Sequence, residues 1–361
     1  MSPITTESRD YRSEEPLHPK AQELLSEYFA EGWVDPSKMH HQSRRLAILF
    51  NQARDEIAAN LGVFPDEVEF VGELGFGFWS AIAGVLQNSP SRFIHSTIDR
   101  QVIHAFARTL KSSEKIVELA PDQNGRIDFN RSEPDVSDFL VWQGVNREVG
   151  VAQDPLDAKF NPILFADMTA ATPFNPLPPK WDLALFDPRS FRGPSGISIL
   201  TISRKGRWTS PLPPMDKRRV FGSFSIPLAL ATAVSLNEAV KAQDHDRGKI
   251  AELNQFIRKE LRDAITGLHM TDPNSKDDPR YVAIGIQGVV AEKLLQRMEN
   301  FGFLIDAGSA CGAGALSPSH VLDALGWGNL AHVRLTLKAN QSQEDVKNVV
   351  TALSQAVSAE R

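Results

Sequence analysis

The sequence predicts an α/β protein, a mostly parallel sheet covered by helices followed by a smaller C-terminal α+β domain, and three observations carry that prediction. Seven short runs, VEFVG, RFIHS, KIVELA, DFLVWQGV, PILFAD, WDLALFD and GISILTIS, are apolar along most or all of their length. Strands without polar alternation are those buried on both faces, as parallel strands under helices are. Helical periodicity alternates with these runs, which is the pattern of successive strand–helix units. After about residue 240 the character changes to a long charged helix and a shorter mixture of strands and helices.

Each element follows in order. Residues 1–20 form an arm containing Pro16 and Pro19, and apolar residues recur at helical spacing over Pro19–Phe29 and again over Ser43–Leu61, where Gly62 is the stop. Pro65-Asp66 turns the chain into the first strand. A glycine-rich turn and helix, GELGFGFWSAIAGVL, come next, then RFIHS, the helix RQVIHAFARTL and KIVELA. The long helix SLNEAVKAQDHDRGKIAELNQFIRKELRDAI is the expected hinge into a second domain. That domain holds RYVAIGI, the helix VAEKLLQRMENFG, the glycine-rich AGSACGAGAL, a helix, HVRLTLK and a last helix from about Ser342. The expected domains are therefore 21–240 and 241–361, and ligands in open parallel sheets sit at the carboxyl ends of the strands.

Composition narrows the function. The 361 residues are 42% hydrophobic and 23% charged, with a net charge of −6, an ordinary globular balance. No basic stripe is interleaved with aromatics, so nucleic-acid binding is not expected, although a small anionic ligand is compatible with a local patch. The opening MSPITTESRDYRSEE lacks an apolar signal core and nothing later approaches the roughly 20 apolar residues of a membrane span, so a cytoplasmic protein without membrane association is expected. Cys311 is the one cysteine, which precludes an intrachain disulfide. His18, His104, His320 and His332 show no ligand spacing with one another, so no metal site is expected.

Four stretches resemble the cysteine desulfurases, which have the class V aminotransferase fold, type I of the pyridoxal-phosphate-dependent transferases. DPSKMHHQSRRLAILFNQAR resembles their N-P-S-S-x-H-x-x-G-R-R-A helix, and VNREVGVAQ their V-N-N-E-I-G-x-x-Q. ADMTAATP with WDLALFDPRSFRGPSG resembles V-D-A-T-Q-S and D-x-x-S-F-S-G-H-K-x-x-G-P-K-G. AGSACGAGALSPSHVLDALG with HVRLTLK resembles the S-G-S-A-C loop and its I-R-x-S-L strand. The resemblance implies that Asp167 stands where an aspartate pairs with the cofactor's ring nitrogen. It likewise implies that Arg334 grips a substrate carboxylate and that Cys311 occupies the persulfide position. Other positions depart from the pattern. The Schiff-base lysine is Ser190, with the spacing from Asp167 and the following Gly193-Pro194 preserved, and the histidine before it is Arg189. The ring-covering histidine is Arg100, the asparagine before Glu148 is Arg147, the glutamine after the aspartate is Ala170, and the phosphate-loop threonine is Gly75. Ser225 remains as the hydroxyl that the resemblance would supply across a dimer.

These departures imply a homologue without covalent pyridoxal phosphate and without the parent activity, because serine cannot form the aldimine and general acid–base catalysis alone is worth about 10² to 10⁴ in rate. Lys180 and Lys205 lie off the site. A role as a binding or regulatory partner in sulfur or iron–sulfur metabolism follows. The alternative is an active desulfurase, lyase or sulfurtransferase using non-covalent cofactor or a Cys311 persulfide. Arg100, Arg147, Arg189 and Arg334 have two readings, a salt-bridged plug filling the old cavity or a site for a carboxylate or phosphate. A homodimer is expected, with a heterodimer containing a lysine-bearing paralogue as the other arrangement.

Overall fold

The computed structural model describes residues 7–31, 34–36, 38–110, 115–213, 225–307 and 319–361. Two N-terminal helices, α1 (Pro19–Ala30) and α2 (His41–Leu61), precede strand β1 (Val68–Val71). The His40 ring accepts the Ser43 amide to start α2, and Gly62, at φ 70°, ends it in the left-handed conformation that glycine adopts without strain. Next come α3 (Leu74–Leu86), β2 (Phe93–Ser96), α4 (Gln101–Thr109), β3 (Ile116–Leu119), β4 (Phe139–Gln143), β5 (Ile163–Asp167), β6 (Leu183–Phe186) and β7 (Ser198–Ile202). These strands form one sheet in the order β1-β7-β6-β5-β4-β2-β3. The pairs from β6 through β5, β4 and β2 to β3 are parallel, while β7 is antiparallel to both of its neighbours.

Apolar runs are explained by two cores, one on each face of this sheet. Along β4, Leu140 and Trp142 join the residues of α2 and of the following long helix, whereas Phe139 and Val141 join Phe78, Ile82 and Ile103 of α3 and α4. Successive side chains point to opposite faces, so a strand with helices on both sides has to be apolar at every position.

The long helix α5 spans Ile226–Ala264, nine residues earlier at its start than the sequence pattern places it. Its first half is apolar on all sides because it packs on α1, α2 and the large sheet, and its second half contributes Ile250, Leu253, Ile257 and Leu261 to a third core. That core belongs to the antiparallel sheet β10-β9-β8, made of β8 (Leu268–His269), β9 (Tyr281–Ile286) and β10 (Ala331–Thr336), and to helices α6 (Ala291–Asn300) and α8 (Gln343–Ser358). Helix α7 (His320–Ala324) precedes β10. The arm takes part as well: Tyr11 is fully buried in the third core and pairs by backbone with Leu304 and Thr336.

Arg280 joins the two regions. Its guanidinium pairs with Asp278, itself fully buried, and donates to the carbonyls of Ser190, Ala170 and Thr172 on the large-sheet side. Removing one member of such a pair strands the other as an uncompensated buried charge, which costs about 3–5 kcal/mol. Arg280→Met is therefore expected to lower unfolding free energy in denaturant titrations by about 3–5 kcal/mol, and Arg280→Lys to recover only a small part, because an ammonium cannot reproduce the planar fork.

Candidate functional site

The site is built at the carboxyl ends of β2, β4, β5 and β6. Strand β5 ends on Asp167, which is buried, and one carboxylate oxygen accepts both the backbone amide and the hydroxyl of Thr169. The other oxygen lies 3.2 Å from Nε of Arg100, the residue that begins α4. The Arg100 guanidinium also donates to the Thr169 hydroxyl and sits 5.8 Å from the centre of the Phe78 ring. Asp167 is thus fully engaged by this chain's own cation and hydroxyl.

Position 190 lies in a short 3₁₀ turn, Pro188–Phe191, immediately after β6. The Ser190 hydroxyl donates to the Asp187 carbonyl at 2.8 Å, and the Ser190 carbonyl receives Arg280. Arg189 folds back on its own turn, pairing with Asp187 at 2.7 Å, and does not enter the space between Arg100 and Asp167. Neither lysine considered as a substitute amine is at the site. Lys180 donates to the carbonyls of Ala158 and Phe160, and Lys205 lies in the exposed turn after β7.

Helix α3 begins with Glu73 as its N-terminal cap, and that carboxylate accepts the Phe76 amide at 3.1 Å. A Cβ on Gly75 would meet the Glu73 carboxylate at 2.8 Å, so the glycine makes room for an acidic cap. The amides that the sequence pattern offers to a phosphate are facing a carboxylate.

From the three-stranded sheet, Arg334 of β10 pairs with Asp306 at 2.5 Å and donates to the Arg147 carbonyl and the Ser13 hydroxyl. Arg147 is different. Its guanidinium is partly buried, lies near Arg100 and Arg334, and reaches only the Ser13 hydroxyl, at 3.5 Å. No carboxylate lies within ion-pair distance among the described residues. Burial first, and the two neighbouring guanidiniums second, lower its pKa from the ordinary arginine value. Arg100, Arg189 and Arg334 each have a carboxylate partner, Arg189 outside the space between Arg100 and Asp167, and Arg147 has none; Glu148, next to it in sequence, is not among its contacts. Ser13, Thr169, Asp306 and Glu73 complete the cleft, and none of them carries a signal in the sequence pattern. Ser225 caps α5 without a side-chain hydrogen bond to that helix. Cys311 lies outside the described residues. A separate cavity of about 440 Å³ touches this region through Ser190 and Arg280, and Asp10, Glu15, Glu238 and Asp246 are among its lining residues.

Comparison with known proteins can now be set beside this geometry. No family model matches the chain. A cysteine desulfurase IscS from Dictyoglomus turgidum is 24% identical over 369 residues, covering 96% of this chain and 93% of the relative. A putative cysteine desulfurase IscS 1 from Bacillus subtilis is 25% identical over 376 residues, covering 96% and 97%. The chain is a homologue of the cysteine desulfurases. Its fold agrees: a NifS-like protein superposes with a TM-score of 0.83 at 18% identity over 97% of this chain and 99% of the other. A NifS-like protein from Rickettsia africae gives 0.82 at 17% identity, covering 96% and 98%. This is the class V aminotransferase fold, so the desulfurase resemblance holds across the chain. Among the described residues, no helix is long and apolar enough to cross a membrane.

One titration is set by the same cleft. Asp99 is fully buried and accepts the Ser96 amide; burial, and then the charge of Asp167, push its carboxyl up to about 8 against the pull of that hydrogen bond. The unfolded chain releases this proton near 3.8, the ordinary aspartate value, whereas the folded chain holds it to about 8. Between those values the native state binds more protons, so this group makes stability fall as pH rises. Asp99→Asn keeps an oxygen acceptor and removes the titration. The variant is expected to gain thermal midpoint over the parent progressively from pH 5 to about pH 8, measured by scanning calorimetry across that range.

Proposed function

We propose that this chain is a desulfurase homologue that has given up Schiff-base chemistry and uses the inherited cleft to bind a small carboxylate or phosphate. The observation that carries the reading is Arg147, a partly buried guanidinium flanked by two others and without a carboxylate partner among the described residues. A buried charge in that position is stabilised by a counter-ion, and a planar guanidinium suits a two-oxygen anion.

The residues present do not fit pyridoxal phosphate. Ser190 offers no amine, and its hydroxyl is spent on the Asp187 carbonyl. Asp167, which would pair with a ring nitrogen, is held by Arg100 and Thr169. The helix start that would face a phosphate is capped by Glu73, whose negative charge opposes a dianion. Each point supports a binding or regulatory role over the parent activity. The relatives' naming as cysteine desulfurases supports placing that role in sulfur metabolism. We also propose a homodimer, by analogy with the resemblance that gives Ser225 a place in the partner's cleft.

Two measurements test the reading. On incubation with pyridoxal phosphate and borohydride reduction, no single lysine is expected to carry a stoichiometric pyridoxyl group by mass spectrometry; such an adduct at one site would sink the proposal. Phosphate or a small carboxylate is expected to raise the thermal midpoint of the parent protein and to have little effect on Arg147→Met. Because a buried unpaired charge is replaced by an apolar chain of similar length, Arg147→Met is also expected to be at least as stable as the parent without added anion. An equal response to anions in both proteins would refute the Arg147 assignment.

A further inference from the structure

A second cluster lies at the edge of the large sheet, away from the pair formed by Arg100 and Asp167. Strands β2 and β3 are parallel neighbours in a register that sets His95 opposite Glu118, so both side chains stand on one face. Helix α4 follows β2 after a four-residue turn and carries His104 in its first turns over the same face. One ligand atom from each of the three residues falls within 4.8 Å of the other two.

The hydrogen bonds define which atoms are available. His95 Nδ1 is 3.2 Å from the Ser96 carbonyl, and a carbonyl only accepts, so Nδ1 carries the proton and Nε2 keeps its lone pair. That Nε2 lies 3.8 Å from Glu118 Oε1, a nitrogen lone pair facing a carboxylate oxygen with no proton between them. His104 Nδ1 lies 3.4 Å from the same oxygen. Burial lowers the basicity of both rings. Nε2 of His104 is buried with no hydrogen-bond partner among the described residues.

His320 packs edge-on against His104, with ring centroids 5.0 Å apart, but it is not a further ligand. Its Nε2 donates to the Asp99 carbonyl at 2.7 Å, and its Nδ1 accepts the Gln101 amide at 2.8 Å, so both nitrogens are committed.

We propose that His95 Nε2, His104 Nδ1 and a Glu118 carboxylate oxygen bind a divalent cation of the Zn²⁺ class, in a three-ligand site with one position open to water. Two imidazoles and a carboxylate form an established donor set for that cation. With bonds of about 2.0–2.2 Å, ligand atoms in a tetrahedral site stand about 3.3–3.6 Å apart. The 3.4 Å and 3.8 Å separations are already near that spacing, and a small rotation of His104 closes the third. His95 is buried and fixed by Ser96, while Glu118 is half-exposed and gives water its approach. The bound ion would tie β2, β3 and the start of α4 together, the helix that also presents Arg100 to Asp167.

The probe is the metal itself. Full-length protein is freed of metal with a chelator, dialysed, and titrated with Co²⁺ and then Zn²⁺, followed by visible absorption and calorimetry. One Co²⁺ per chain with the intense ligand-field bands of a low-coordinate nitrogen–oxygen site, displaced by one Zn²⁺, is expected. Glu118→Gln and His104→Gln should each weaken binding by about tenfold or more, while the double substitution His40→Gln with His41→Gln leaves it unchanged. Circular dichroism of each metal-free variant checks that it is folded, and Glu118→Gln, at a half-exposed edge position, is the variant least able to disturb the sheet. Absence of stoichiometric uptake, equal affinity in Glu118→Gln and His104→Gln, or a thiolate charge-transfer spectrum assigning the metal to Cys311 would each overturn the proposal.

Discussion

The buried pair of Arg280 with Asp278 is the constraint on which the rest of the cleft depends. Its guanidinium is saturated by one carboxylate and three carbonyls, and those carbonyls belong to Ser190, Ala170 and Thr172. Arg280, at the start of β9, thereby grips the large sheet by backbone atoms at both segments that follow Asp167 and Asp187. Because the grip is on carbonyls, it is indifferent to the side chain at position 190.

Charge balance links the other departures. Asp167 is buried, and a buried carboxylate needs a cation or several donors. Arg100 provides the cation and Thr169 the donors, from positions 67 and 2 residues away in sequence. Arg189 and Arg334 are similarly neutralised by Asp187 and Asp306. Glu73 caps α3 and adds a negative charge where the resembling enzymes face an anion. Arg100, Arg189 and Arg334 are thus each balanced by an acid, and removing one member of a pair would leave a charge without its partner.

The large sheet was legible because each strand is buried on both faces and therefore apolar at nearly every position. The start of α5 was not: IPLALATAVSL is apolar on all sides, so periodicity appears only after the helix leaves the large core, near residue 235. The two-residue strand β8 is too short to show any period. In the cleft, Asp167 and Arg334 were legible through resemblance. Ser13 was not, because a polar arm carries no periodicity that could register it against Arg147. Glu73 was hidden by the glycine-rich stretch around it, which reads equally well as a phosphate loop or as a tightly packed helix start. The histidines near the sheet edge were invisible for a topological reason. His95 and Glu118 are neighbours only through the β2–β3 register, and no spacing along the chain encodes a register.

Arg147 shows where physical reading separates a plugged cavity from a binding site. A plug would need every charge to have its partner, and Arg100 and Arg334 meet that condition within the cleft. Arg147 does not, although Glu148 is next to it: the Glu148 amide is tied to the Asn146 side chain, and the Arg147 guanidinium reaches the hydroxyl of Ser13 instead. The Ser13 hydroxyl can offer an acceptor but no charge, and it is already shared with Arg334. Repulsion from two neighbouring guanidiniums makes this an unfavourable place for a cation unless something negative is bound there, and the same repulsion makes the binding of an anion correspondingly favourable. On the anion-binding proposal, the cost built into the cleft would be the source of affinity, which is why the charge at position 147, more than the serine at position 190, carries that proposal.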